Sequence, residues 1–465
     1  MAKSVAGINR KIRAGKAVVV TAEEMPALVK DLGPKRAAEK VDVVTTGTFG
    51  AMCSSGVWLN FGHSDPPIKM QRVWLNDVEA YTGVAAVDAY IGATQMSETL
   101  GMTYGGGHVI EDLVCGRKVR LRAEGYGTDC YPTKELETEL SLEDVNQATM
   151  SNPRNAYQRY NVATNSTGRT LRTYMGKLLP HFGNATYSGA GVLSPISNDP
   201  TLETIGIGTR ISLCGGTGHV VGSGTQHNPA DGFATLMVQG DLKTMRKEHL
   251  RGATFSGYGC TLYVGIGLPI PVLNEKVARS TAITDADISV KVLDYGSSRR
   301  GRPALRMVSY KELRSGSIKI GGKDVTTSSV SSQFMARRIA LELKKSIEEG
   351  KFLLTQCAER LPLQGSARPM VERRPPLSLA RRPGGVQQVE AAGEVRASAP
   401  RPKGREGISR DDGRCVRCGA CVSLCKFGVH RYGKEQNVTV AADKCTGCGL
   451  CVDGCPTGAL SLVPK

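Results

Sequence analysis

The run Cys415-Val-Arg-Cys418-Gly-Ala-Cys421-Val-Ser-Leu-Cys425 is repeated further on as Cys445-Thr-Gly-Cys448-Gly-Leu-Cys451-Val-Asp-Gly-Cys455-Pro456. Each half reads C-x2-C-x2-C-x3-C, the spacing that holds paired [4Fe–4S] clusters. Three closely spaced thiolates cap three irons of one cubane, and the fourth cysteine reaches the other cluster. The expected ligand sets are Cys415, Cys418, Cys421 with Cys455, and Cys445, Cys448, Cys451 with Cys425. An internal repeat of this kind predicts a small pseudo-twofold α+β unit.

Other uses of cysteine fit less well. A disulfide scaffold belongs to secreted chains, and the amino terminus MAKSVAGINRKIRAGK has no apolar stretch of the signal-peptide type. Zinc ribbons show separated CxxC pairs rather than triplets followed by a fourth cysteine. The first run does depart from the usual pattern, since Cys425 is followed by Lys426 where Cys455 is followed by Pro456.

Upstream of this unit, Ser366 to Arg410 holds six Pro and nine Arg and almost no large apolar residue. It reads as a flexible, disordered linker. The expected division is a catalytic core over 1–360, a Pro/Arg-rich linker over 361–410 and an iron–sulfur unit over 411–465. The chain has 465 residues, too many for one core. Its net charge is +17, and two oxidised clusters with their thiolates lower that to about +13. The rest of the excess is spread without interleaved aromatics, so a solvated basic surface is favoured over a nucleic-acid site. No apolar run approaches membrane-spanning length, and a soluble, cytoplasmic protein is expected.

The core reads as α/β, with α+β as the alternative, and is rich in glycine loops; there are 55 Gly in the chain. Residues 1–40 read as helix, strand, helix, with Thr21 and Glu24 forming a capping box. Val41–Thr46 is a strand running into the loop Gly47-Thr-Phe-Gly-Ala-Met-Cys53-Ser-Ser-Gly56. Val119–Ala123 alternates as a half-buried strand and leads to a second cysteine loop, Gly125-Tyr-Gly-Thr-Asp-Cys130. Residues 134–147 look helical, and Ser328-Ser329 is expected to cap an amphipathic helix carrying Phe334, Ile339, Leu343 and Ile347. There is no G-x-G-x-x-G and no P-loop.

The remaining cysteines form no CxxC, so most are expected to be buried and inert. Cys53 and Cys130 stand apart. Each lies in a polar loop after a strand, where backbone N–H groups or an imidazolium can lower a thiol's pKa.

The stretches TFGAMCSSGVWLNFGHSDPPIKM (48–70), YGGGHVIEDLVCG (104–116), YGTDCYPTK (126–134), NPRNAYQRYNVATNS (152–166), LLPHFGNATYS (178–188) and GIGTRI…GTQHNP (206–229) resemble the homocysteine-biosynthesis family over about residues 1–360. The tail resembles bacterial-type ferredoxins. The family resemblance implies an L-aspartate semialdehyde sulfurtransferase that makes L-homocysteine with electrons from two [4Fe–4S] clusters. Sulfide or a persulfide donor would supply the sulfur, and an external low-potential donor the electrons. It maps the core cysteines onto Cys53, as a persulfide-bearing nucleophile, and Cys130, as a second sulfur-handling thiol. His63 and His108 are candidate proton carriers, and Arg154, Arg210 and Lys69 candidate carboxylate binders. The competing readings are an iron–sulfur reductase or sulfurtransferase acting on another carbonyl or thio substrate, and a non-enzymatic electron-transfer scaffold.

Overall fold

Two β-rich runs form the spine of the core. Val43–Ala51 and Gly259–Pro271 pair antiparallel along nine residues, from Val43 opposite Pro271 to Ala51 opposite Tyr263. Every residue of the second run is buried, which is the pattern of a strand covered on both faces. The computed structural model describes residues 3–155, 160–298, 301–365, 368, 370–371, 406–433 and 437–464. The expected linker therefore lies outside the described residues from 372 to 405.

Around the spine a ten-stranded sheet forms. Its order is Val19–Thr21, Val43–Ala51, Gly259–Pro271, Arg210–Leu213, Gly216–Ser223, Leu236–Asp241, Gln147–Asn155, Gly56–Asn60 and Asp88–Gly92, with Leu250–Phe255 also pairing the long strand. One six-stranded sheet gathers residues 70–140. A second, built from Val162–Thr164, Ala185–Tyr187 and the strands between 289 and 329, has its own apolar core. The core is thus mixed α and β with strands dominating. No helix among the described residues is long and apolar enough to cross a membrane.

Three local expectations are corrected. Gly47 to Ala51 is strand, not loop. The glycines are there because the helix Gln333–Glu348 lies directly on this strand: a Cβ at Gly47 would sit 2.2 Å from the Ala336 carbonyl oxygen. Residues 135–140 form a strand rather than a helix, paired with Val119–Gly125. Their acidic side chains meet the basic ones opposite, Glu137 with Arg120 and Glu139 with Lys118, and cross-strand charge pairs stabilise such a ladder. The cap of the amphipathic helix is Ser332, whose hydroxyl accepts from the Met335 N–H, because Ser329 is held in the preceding strand. Ile339, Leu343 and Ile347 are buried as the periodicity predicts.

The cysteine-rich tail shows the expected repeat. Gly419 and Gly449 take left-handed conformations at φ 78° and 74°, and each opens a five-residue helix, Ala420–Leu424 and Leu450–Gly454. The fourth cysteine of each run ends its helix in an extended conformation, Cys425 as well as Cys455. The turn that proline favours after Cys455 therefore forms with Lys426 as well. Two hairpin-like pairs, Glu406–Arg410 with Leu460–Pro464 and His430–Tyr432 with Val438–Val440, complete the unit.

This unit is seated on the core. Val416 and Cys418 join the apolar cluster of Phe49, Phe255, Tyr263, Met335 and Ile339. The Ser332 hydroxyl donates to the Arg417 carbonyl at 2.8 Å, and the Ser256 N–H donates to the Pro456 carbonyl at 3.4 Å.

Replacing Gly47 with Ala is expected to destabilise the core by about 1–3 kcal/mol, the usual range for overpacking. Gly222→Ala, where an added Cβ meets nothing within 4 Å, should stay within about 0.5 kcal/mol of wild type. Denaturant unfolding of both variants checks this.

Candidate functional site

Cys53 sits in the tight turn Met52–Ser55 between the strands Val43–Ala51 and Gly56–Asn60. The turn is pinned from three sides. The Met52 N–H donates to the Leu262 carbonyl, the Ser55 N–H to the Met52 carbonyl, and the Asn152 side-chain amide to the Ser55 hydroxyl at 2.6 Å. Half-buried Cys53 places its Sγ 3.1 Å from the hydroxyl of buried Thr261.

The thiol opens on a cavity of about 350 Å³ where the ten-stranded sheet meets the six-stranded sheet of residues 162–329. Ser54, Arg154, Tyr174, Gln226 and Tyr258 line it with Cys53. A narrow annex of about 40 Å³ shares Ala51, Met52, Tyr160 and Ser188 with it. No Asp or Glu lines the cavity among the described residues. Arg154 Nη1 donates to Gln226 Oε1 at 2.7 Å, and its buried Nε has no hydrogen-bond partner among the described residues. The site therefore offers a thiol and a guanidinium, with donor capacity to spare, in a volume suited to a small polar metabolite.

Burial pushes the Cys53 thiol above its ordinary value of 9.0, against the pull of the Thr261 hydroxyl, its own backbone N–H and the Arg154 charge. The expectation of a lowered pKa is corrected here: no histidine lines the cavity, and desolvation outweighs the remaining donors. Tyr258, in the same wall, is likewise raised by burial and then by the Cys53 charge.

The other residues singled out from the sequence fall elsewhere. His63 is exposed and stacks on Tyr131 at 5.9 Å, beside the exposed Cys130. Cys53 precedes the strand Gly56–Asn60 and this pair of loops lies beyond its other end, roughly 16 Å along an extended chain. Lys69 is exposed and follows the His63 loop. His108 stands in the first turn of the helix Gly106–Val114; its Nδ1 accepts from the Gly105 N–H at 3.2 Å and its ring stacks on Tyr104. Burial lowers its pKa. Arg210 lies over the Phe352 ring at 4.5 Å and donates to Thr217. Only Cys53 and Arg154 of the predicted residues share the cavity. Tyr160, Tyr174, Gln226, Tyr258 and Thr261 were passed over. Tyr160 and Gln226 lie within stretches that carry the family resemblance, but nothing in their spacing points to a shared pocket.

Three of the tail cysteines are raised in pKa by burial and by the charges of neighbouring cysteines. Cys418 is raised well above the usual thiol range by burial and then by Cys455, Cys421 and Cys415. Cys421 is pushed up to about 12 by burial and then by Cys455, Cys415 and Cys451. Burial and then Cys425, Cys448 and Cys445 push Cys451 up to about 12. Clustered, desolvated thiols of this kind ionise only against bound cations, so the donor sets fit iron–sulfur clusters. No three side chains converge on a single ion among the described residues, which suits cubanes, whose thiolates each bind a different iron.

Comparison with known proteins matches two regions of the chain. Residues 17–354 match the family described as homocysteine biosynthesis enzyme, sulfur-incorporation, and residues 409–462 match a 4Fe-4S dicluster domain. The chain belongs to this family of sulfur-incorporating enzymes and carries an iron–sulfur dicluster domain. It is 59% identical over 368 residues to L-aspartate semialdehyde sulfurtransferase of Methanosarcina acetivorans, covering 79% of this chain and 74% of that protein. It is also 59% identical over 374 residues to the protein of that name from Methanocaldococcus jannaschii, covering 77% and 73%. An uncharacterized protein of Methanothermobacter thermautotrophicus is 28% identical over 327 residues, covering 68% of this chain and 73% of that protein. No solved structure matches.

Because its folded-state pKa is raised, alkylation of Cys53 should still be accelerating at pH 9, where an ordinary thiol is half ionised. Thr261→Val, which removes a contact favouring the thiolate, should move the profile further up. A pH series of iodoacetamide labelling, read by peptide mass spectrometry, checks both.

Proposed function

We propose that the chain inserts sulfur reductively into L-aspartate semialdehyde to give L-homocysteine. The observation that carries this is the pairing, in one cavity, of a desolvated thiol with an arginine that has no carboxylate partner among the described residues. The names of the relatives support the substrate.

Arg154 binds the substrate carboxylate by charge-assisted hydrogen bonds. Gln226 holds the guanidinium in place. Two forms of sulfur delivery fit. In the first, a persulfide donor passes its outer sulfur to Cys53 and leaves as a thiol. The outer sulfur of the Cys53 persulfide attacks the aldehyde carbon, a C–S bond forms, and the carbonyl oxygen takes a proton. Two electrons then break the S–S bond and return Cys53 as thiol. Loss of water and two further electrons with two protons give homocysteine. In the second, sulfide bound beside Cys53 adds to the aldehyde directly, water leaves, and only the last two electrons are needed; the annex is large enough for one such small species. When bound, the two [4Fe–4S] clusters supply electrons singly at low potential. A persulfide is a stronger acid than a thiol, so the outer sulfur is more readily ionised in this site than the Cys53 thiol itself.

Cys130 keeps a second sulfur-handling role, now as an exposed thiol able to meet a donor, with His63 beside it as proton carrier. His108, Arg210 and Lys69 are better read as structural or surface residues.

With reconstituted protein, semialdehyde, a persulfide donor and a low-potential reductant, Cys53→Ser should form no homocysteine. An unchanged rate would sink the nucleophile assignment. Arg154→Gln should raise KM for semialdehyde by roughly tenfold to a hundredfold, the cost of about 1.5–3 kcal/mol for a hydrogen bond to a charged group. Cys130→Ser should lower the rate with a persulfide donor while leaving the sulfide-driven rate unchanged.

A further inference from the structure

Tyr263 is fully buried in the middle of the long strand, opposite Ala51 and two residues from Thr261, which holds Cys53. Its hydroxyl donates to the Val330 carbonyl at 2.6 Å, and Val330 lines the Cys53 cavity. Its ring packs against Phe49 at 5.7 Å and Phe255 at 6.3 Å. The same apolar cluster takes in Val416 and Cys418 of the iron–sulfur unit. Pro456, next to Cys455, lies against Gly176, whose neighbour Met175 also lines the cavity. One layer of side chains thus separates the first ligand set from the pocket thiol. The second set turns Cys448 to solvent, with Phe427 and Leu450 exposed near its ligands.

We propose that electrons leave the iron–sulfur unit from the Cys415, Cys418, Cys421 and Cys455 set, crossing the Tyr263 layer to the Cys53 pocket, and enter it at exposed Cys448 of the other set from an external one-electron carrier protein. The proposal rests on the reductive reading above and gives it a direction. Each homocysteine made from sulfide takes two electrons and two protons, so two carrier molecules are oxidised per turnover and the protons come from water. Tyr263 acts as a positioning residue: its ring fills the gap between the first ligand set and the pocket.

Two measurements on the full, cluster-loaded chain test it. First, Cys53 is alkylated with iodoacetamide and the reduced clusters are examined by electron paramagnetic resonance. Their signals are assigned with Cys415→Ser and Cys448→Ser, in which the altered set changes or loses its signal. Alkylation should perturb the first set alone; perturbation of the second set alone overturns the placement, whatever the substrate proves to be. Second, reduced protein is mixed with semialdehyde and sulfide, and cluster oxidation is followed by stopped flow. Cys448→Ser should retain rapid oxidation of the first set but lose reduction by a ferredoxin-type carrier. Cys415→Ser should leave the second set reduced. Tyr263→Leu should slow oxidation by about tenfold or more, equivalent to ~1.4 kcal/mol in the barrier, with cluster content and spectra unchanged, while Tyr263→Phe stays near the wild-type rate. Equally fast oxidation of the second set in Cys415→Ser, or an unaffected Tyr263→Leu, overturns the route. If alkylation perturbs the first set but no wild-type cluster is oxidised, the placement stands and the reductive reading fails.

Discussion

The pairing of Val43–Ala51 with Gly259–Pro271 is the constraint on which the site depends. Its register places Ala51 beside Tyr263. The turn that follows Ala51 then drops Cys53 onto Thr261, while Tyr263 keeps its ring under the iron–sulfur unit. A slip of one residue would exchange the two faces of the strand and separate thiol, hydroxyl and aromatic layer together. The register is held by burial on both faces and by the helix Gln333–Glu348, which lies so close that only glycine fits at Gly47. The same helix begins at Ser332, whose hydroxyl reaches the Arg417 carbonyl. One packing arrangement therefore organises both the pocket and the seat of the redox unit.

That seat alters the meaning of the long connection between the two parts. Read from sequence, a Pro/Arg-rich tether raises the local concentration of an electron donor that samples the core. The structure instead docks the unit through Val416, Cys418 and Pro456, with an apolar contact and backbone hydrogen bonds. A fixed seat presents one ligand set to the pocket and leaves Cys448 exposed, so the two halves of a nearly symmetric repeat acquire different positions.

How much of the site was legible follows from the range of each signal. The ligand sets are local: the cysteines of each run are covalently spaced. Cys53 was visible because a cysteine in a polar turn is unusual, and Arg154 because its stretch carries the family resemblance. His63 looked like a partner of Cys53 by proximity in sequence, yet the strand Gly56–Asn60 lies between them and puts it at the far end. Gly47 and Gly50 looked like a ligand-binding loop, but a glycine needed for close helix packing and one needed for a turn are the same letter. The stretch 135–140 looked helical because its acidic residues were read without the basic strand they face.

By itself the sequence determined the iron–sulfur domain and the family, because each rests on residues and spacing within short segments. Tertiary structure alone decided that Cys53 is desolvated and raised in pKa, that Arg154, Gln226 and Tyr258 share its cavity, and that Tyr263 packs in one apolar cluster with Val416 and Cys418 of the tail. Those facts depend on strand register and on the docking of segments hundreds of residues apart. Burial and cross-sheet contact are properties of the packed chain, and no local pattern encodes them.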